Sequence, residues 1–149
     1  MKRPYQQIAE RLAADGDRRH RMHVVVDGLW DVLHDVGVSW LGFYLHEGGD
    51  ELVLGPLRDT PACSPIGLHG VCGQAFHSGE ARVVRDVREL GEEFIACDPR
   101  DRSEVVVPCF DNDGHCWGVL DLDSHEVGAF TDADAVGLRS VLLAAGLTF

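Results

Sequence analysis

An α+β fold, with helices covering one face of an antiparallel sheet, is predicted for this chain of 149 residues by three observations. Apolar residues recur at helical spacing up to Val36. From Val38 the pattern switches to a period of two, in alternating segments joined by short polar turns. The last stretch returns to helical spacing.

The elements follow in order. Residues 4–15 begin with Pro4 and place Ile8 and Leu12 one turn apart, which predicts a short helix. Asp17 is positioned to cap a longer one, in which Met22, Val25, Val26, Leu29, Leu33 and Val36 form the apolar stripe and Gly37 closes the run. Gly28 weakens its middle. In VSWLGFYLHE, Leu41, Phe43 and Leu45 point one way and Trp40, Gly42 and Tyr44 the other. The EGGD turn then leads into ELVLGPL as a hairpin partner. GVCGQAFHSG reads as a short helix between glycines, and ARVVRDV as a brief strand followed by a loop that holds Cys97. SEVVVPCF and CWGVLDLDS are strands joined by DNDGH. Thr131 caps the final helix, with Asp134 at the capping-box position. One domain over 1–149 is expected, with N-terminal helices in 1–37, sheet and site loops in 38–130, and a C-terminal helix in 131–149.

Composition excludes several function classes. The net charge of −12 repels nucleic acid, and no basic stripe offsets it. Lys2 is the only lysine, which argues against Schiff-base chemistry and P-loop phosphate binding within the fold. No run approaches the ~18 apolar residues of a membrane span, and the N-terminus lacks a signal-peptide core, so a soluble, cytoplasmic protein is expected. The cysteines, Cys63, Cys72, Cys97, Cys109 and Cys116, are odd in number and contain no C-x-x-C pair, which argues against a disulfide framework or a zinc ribbon. His20 and His23 have no cysteine partner nearby and read as surface residues.

One sheet face departs from a solvated pattern. Opposite the helix-covered side stand Trp40 and Tyr44, and the alternation of the last strand puts Trp117, Val119, Asp121 and Asp123 with them. Glu104 opens the neighbouring strand. Aromatic faces beside carboxylates suit a small ammonium compound, and crowded carboxylates raise one another's pKa so that one can act as an acid. The bland alternative is a solvent face on which strand aspartates are tolerated. Cys109 and Cys116, at strand ends, read as filler. Cys72 sits near a helix N-terminus, a place that favours a thiolate. Cys97 has Arg100 and Arg102 to favour a thiolate and Asp98 to oppose it, and pattern alone leaves it open between a reactive thiol and a buried neutral one.

The segments SWLGFY, LVLGP, ACSPIGLHGVCG, IACD, SEVVVP, GVLDLDS and FTDAD, taken in that order, resemble the free methionine-(R)-sulfoxide reductase family of single GAF domains. The resemblance implies a GAF-like antiparallel sheet with helices on one face and a ligand pocket under loops on the other. It implies that Cys97 is the nucleophile on the sulfoxide sulfur, Cys63 the resolving thiol and Cys72 a third cysteine that is an alternative resolver. Trp40 and Tyr44 would wall the methyl end of the substrate. Glu104, Asp121 and Asp123 would hold its ammonium group and manage the proton on the sulfoxide oxygen. A sulfenic acid on Cys97 would condense with a second thiol to a disulfide, with a Cys63–Cys97 link expected before a Cys72–Cys97 link. No bound cofactor and no metal are implied. Thioredoxin, fed from NADPH, is the implied reductant, and a homodimer is a further expectation. The segment from Cys63 to Cys72 is slightly shorter than is usual in that family. The competing reading is a non-catalytic GAF module that senses a small molecule or redox state.

Overall fold

A computed structural model describes residues 3–91 and 97–149, so the Phe94–Ala96 part of the run preceding Cys97 lies outside the described residues. The elements are α1 (Tyr5–Arg11), α2 (Arg18–Leu33), β1 (Trp40–Leu45), β2 (Glu51–Arg58), β3 (Ile66–Gly67), α3 (Val71–Ser78), β4 (Arg82–Val84), β5 (Ser103–Phe110), β6 (Cys116–Ser124) and α4 (Asp132–Ala144). A 3₁₀ turn, Val87–Glu89, follows β4. The strands form one sheet in the order β3-β2-β1-β6-β5-β4, with every described pair antiparallel.

Two apolar clusters lie on opposite sides of this sheet. On one side Leu41, Phe43, Val105, Val107, Leu120 and Leu122 pack against α1, α2 and α4. On the other, Trp40, Tyr44, Val106 and Val119 pack with Cys72 and Ala75 of α3 and with Ile66. The helices therefore do not all share a face: α3 joins the loops over the second face. Its eight residues are too few to cover that face, which leaves room for a cavity.

Local signals explain most boundaries. Asp17 accepts a hydrogen bond from the His20 N–H at 2.9 Å, as an N-cap should. The α2 helix ends at Leu33, earlier than the expected Gly37, because its last turn tightens: the Val36 N–H donates to Leu33 O at 3.0 Å. Gly37, at φ +94, then reverses the chain. At α4 the Thr131 N–H donates to Asp134 Oδ2 at 2.9 Å.

Asp134 also ties the helices together. Its Oδ1 accepts from Arg3 at 2.8 Å and from the Tyr5 hydroxyl at 2.6 Å, and Arg3 donates on to Val36 O and Ala129 O. The α1 helix approaches α4 so closely that a Cβ on Gly137 would lie 2.2 Å from the Tyr5 ring. Among the described residues no helix is long and apolar enough to cross a membrane.

Removing the Asp134 carboxylate strands a buried guanidinium. Asp134→Ala is expected to lower stability by about 3 kcal/mol, and Tyr5→Phe by about 1 kcal/mol. Urea unfolding at neutral pH measures both, and equal effects would show that the ion pair adds nothing beyond one hydrogen bond.

Candidate functional site

Strand register builds the site in rows. Val84, Glu104, Asp123 and Trp40 are direct cross-strand partners along one row. Val106, Asp121 and Gly42 form the next, and Val119 and Tyr44 the one after. Because side chains on alternate residues share a face, Glu104, Asp121, Asp123, Trp40 and Tyr44 converge from three adjacent strands. They line a cavity closed by Val71 and Cys72 of α3 and by loops carrying Ala62, Cys97 and Asp101.

The two aromatics hold a loop as well as a wall. Trp40 Nε1 donates to Thr60 O at 2.9 Å, and the Tyr44 hydroxyl donates to Cys63 O at 2.9 Å. Their apolar bodies face the cavity while their polar tips pin the segment that carries Cys63. Gly42 makes this possible, since a Cβ there would stand 2.7 Å from the Trp40 ring and 2.8 Å from Leu57. Ser64 Oγ secures the same segment to β2 by accepting from the Leu54 N–H at 2.9 Å.

Cys63 and Cys97 form a disulfide with their Cα atoms 5.5 Å apart. Both residues are exposed at the mouth, and Cys97 lines the cavity edge. Arg100 does not face a free Cys97 thiolate: its fork lies on Asp98, with Nε to Oδ1 at 3.1 Å and Nη2 to Oδ2 at 3.0 Å. Arg102 donates to Pro99 O and Asp101 O.

Cys72 differs from the expectation of a thiolate. It is buried beside the pocket floor, with Sγ within 4.8 Å of carboxylate oxygens of Glu104 and Asp121. Burial, and then the negative charges of Asp121 and Glu104, push its thiol well above the ordinary range. The helix N-terminus is outweighed by desolvation and three nearby carboxylates. Cys72, Glu104 and Asp121 could reach a common ion, but the carboxyls engage one another, and no metal is assigned.

Trp117 also departs from the alternation. Cys109 pairs with Gly118 and Phe110 with Cys116, so Trp117 is an extra residue in a β-bulge. It turns to the helix side, where it stacks on Phe43 at 6.0 Å and donates to Leu147 O at 3.1 Å. Cys109 is buried on that side and Cys116 is partly exposed; both are free of disulfides and neither lines the cavity.

The carboxylates set the electrostatics. Asp121 is 4% exposed, and its Oδ1 has no hydrogen-bond partner among the described residues. Desolvation, followed by the charges of Asp123 and Glu104, raises its pKa well above the carboxylate range. Asp123 is raised in the same way, by desolvation and then by Glu104 and Asp101. Glu104 and Asp123 keep some surface, which they present to the cavity. Glu104 is raised by desolvation too, but hydrogen bonds from Asp121 and Asp123 oppose the shift. All three carboxyls are pushed upward by burial, so protons are retained within the set. Burial raises the Tyr44 hydroxyl as well, so it remains a neutral donor. The site can hold a cation on one carboxylate while another keeps a proton to give.

Asp101 is a cavity residue that sequence reasoning missed. It lies in an irregular loop, where no periodicity says which charges turn inward.

Residues 21–148 match the GAF domain family. The free methionine-R-sulfoxide reductase of Escherichia coli is 41% identical over 116 residues, covering 76% of this chain and 67% of that protein. The enzyme of that name from Saccharomyces cerevisiae is 39% identical over 102 residues, covering 66% of this chain and only 56% of its own length. The free methionine-R-sulfoxide reductase of Neisseria meningitidis, solved in complex with its substrate, superposes with a TM-score of 0.83 at 36% identity, covering 95% of this chain and 83% of that one.

The buried acids carry a stability signature. Their folded pKa values lie above the unfolded carboxylate value, so over that interval the native state binds more protons and stability falls as pH rises. Asp121→Asn removes one of these groups. It is expected to raise stability at pH 8 by about 1–2 kcal/mol, with the gain vanishing near pH 4. Urea midpoints of the oxidised protein across pH test this, and a gain independent of pH would show that Asp121 is not a raised carboxyl.

Proposed function

The chain belongs to the free methionine-R-sulfoxide reductase family of GAF domains, and on that basis we propose that it reduces the R-sulfoxide of free methionine to methionine. One observation carries the reading: a Cys63–Cys97 disulfide sits at the rim of a cavity whose walls are two aromatics and three carboxylates.

In this reading the sulfide end of the substrate rests between Trp40 and Tyr44, and its ammonium group on the ionised Glu104 beside Asp121. Asp123, which lines the cavity next to Cys97, gives its proton to the sulfoxide oxygen. The Cys97 thiolate attacks sulfur, the S–O bond of the substrate breaks, and the oxygen passes to Cys97 as a sulfenic acid. Cysteine loses two electrons and the sulfoxide gains them. The Cys63 thiol then attacks Cys97 sulfur, a disulfide forms and water leaves. An external dithiol of the thioredoxin type restores both thiols by exchange.

Cys63 is the favoured resolver for a physical reason. Its Cα already stands within bonding range of that of Cys97, whereas Cys72 is buried and held protonated. Cys72 is assigned to the pocket floor rather than to thiol exchange.

The test couples NADPH, thioredoxin reductase and thioredoxin to free methionine-R-sulfoxide, with the S epimer as control. The R form alone should turn over. Cys97→Ser should abolish turnover, while Cys63→Ser should still yield one methionine per protein without reductant but recycle poorly. Tight binding of the R form by reduced wild-type protein with no methionine produced would instead identify a sensor module.

A further inference from the structure

A second, outer cleft adjoins the cavity on the solvent side. Trp40, Ala62, Cys97, Asp101 and Asp123 line both spaces, whereas Glu104 and Asp121 face only the inner one and His125 only the outer. Asp101 thus stands in the partition. It is 8% exposed, and its Oδ1 is buried without a hydrogen-bond partner among the described residues. The His125 ring stands beside it, with Nε2 3.9 Å from Asp101 Oδ1 and 3.5 Å from Asp98 Oδ2. Asp98, itself held by the Arg100 fork, shares the same ring nitrogen, so the imidazole stands between the two carboxylates.

We propose that Asp101 and His125 are the proton entrance of the carboxylate cluster, passing protons between the outer cleft and Asp123 in a positioning role.

The proton balance of the proposed reaction, on which this inference rests, calls for such a path. Sulfoxide and two thiols give sulfide, a disulfide and water, so two protons that start on Cys97 and Cys63 must end on the sulfoxide oxygen. The thiols release them at the rim, while the oxygen is protonated inside. Asp123 is left short of a proton at each turnover and must be reloaded. A buried carboxyl between the two spaces, with an exposed imidazole behind it, connects source and acceptor.

The charges around Asp101 suit the task. Facing it are Asp98, Arg100 and Arg102 of its own loop, Glu104 of β5, Asp121 and Asp123 of β6, and His125 beyond β6. Desolvation, then the charges of Asp98 and Glu104, raise its pKa to about 7, where a carboxyl both takes and gives a proton near neutrality. Its backbone is fixed, with its N–H donating to Asp98 O at 3.1 Å and its carbonyl accepting from Arg102 at 2.9 Å.

The experiment is single-turnover methionine formation from free methionine-R-sulfoxide by the reduced protein, across pH and at low and high buffer concentration. Asp101→Asn should slow it at least about tenfold, with substrate affinity unchanged, a loss that deepens as pH rises, and partial rescue by added imidazole or formate. Asp101→Glu should recover most of the rate. His125→Gln, at an exposed position, should show a smaller loss that high buffer erases, and it keeps the test open if Asp101→Asn fails to fold. Wild-type rates and pH profiles in both variants would overturn the relay, as would losses that come with weakened binding and no buffer rescue. Failure of the wild-type protein to form methionine would overturn the reductase reading itself.

Discussion

Three carboxylates gathered on one sheet face, away from water, cannot all be ionised, and the rest of the site is arranged around that fact. Glu104 and Asp123 are cross-strand partners, and Asp121 is one row along. Their spacing is dictated by the sheet and cannot relax the way a surface cluster would. Desolvation is the leading cause of the upward shift in each, so protons are retained where an exposed strand face would have released them. Such a face works against folding at alkaline pH, and the helix-covered core on the opposite side supplies the stability that offsets it.

The same constraint decides what the cysteines can do. A thiol that opens onto this cluster, as Cys72 does, is held protonated by burial and by negative neighbours. Cys97, exposed at the rim, instead meets a partner from another loop. Trp40 and Tyr44 link the two regions. Each turns a flat face to the cavity and a polar tip to the Thr60–Cys63 segment, so the loop that carries Cys63 is positioned by the residues that shape the pocket.

Much of this was legible because sheets and helices are periodic. Alternation in WLGFYL and GVLDLDS assigned Trp40, Tyr44, Asp121 and Asp123 to one face, and the register bears that out. Trp117 broke the rule because a bulge inserts one residue and reverses its side, and nothing in CWGV announces a bulge. The stop of α2 at Leu33 was hidden for a related reason: the apolar stripe continues to Val36 although the hydrogen bonds have already tightened. Asp101 was invisible among the charges of its loop, since loops carry no period from which a direction could be read.

By itself, the sequence determined the order of the helices and hairpins, the shared face of Trp40, Tyr44, Asp121 and Asp123, and the family resemblance, because these depend on local spacing and on a motif set spread along the chain. Only the tertiary structure decided which cysteine meets Cys97, which thiol is silenced, and which loop carboxyl stands between solvent and the buried acids. Those outcomes depend on how distant loops close over one sheet face, and burial there changes what each group can ionise or reach.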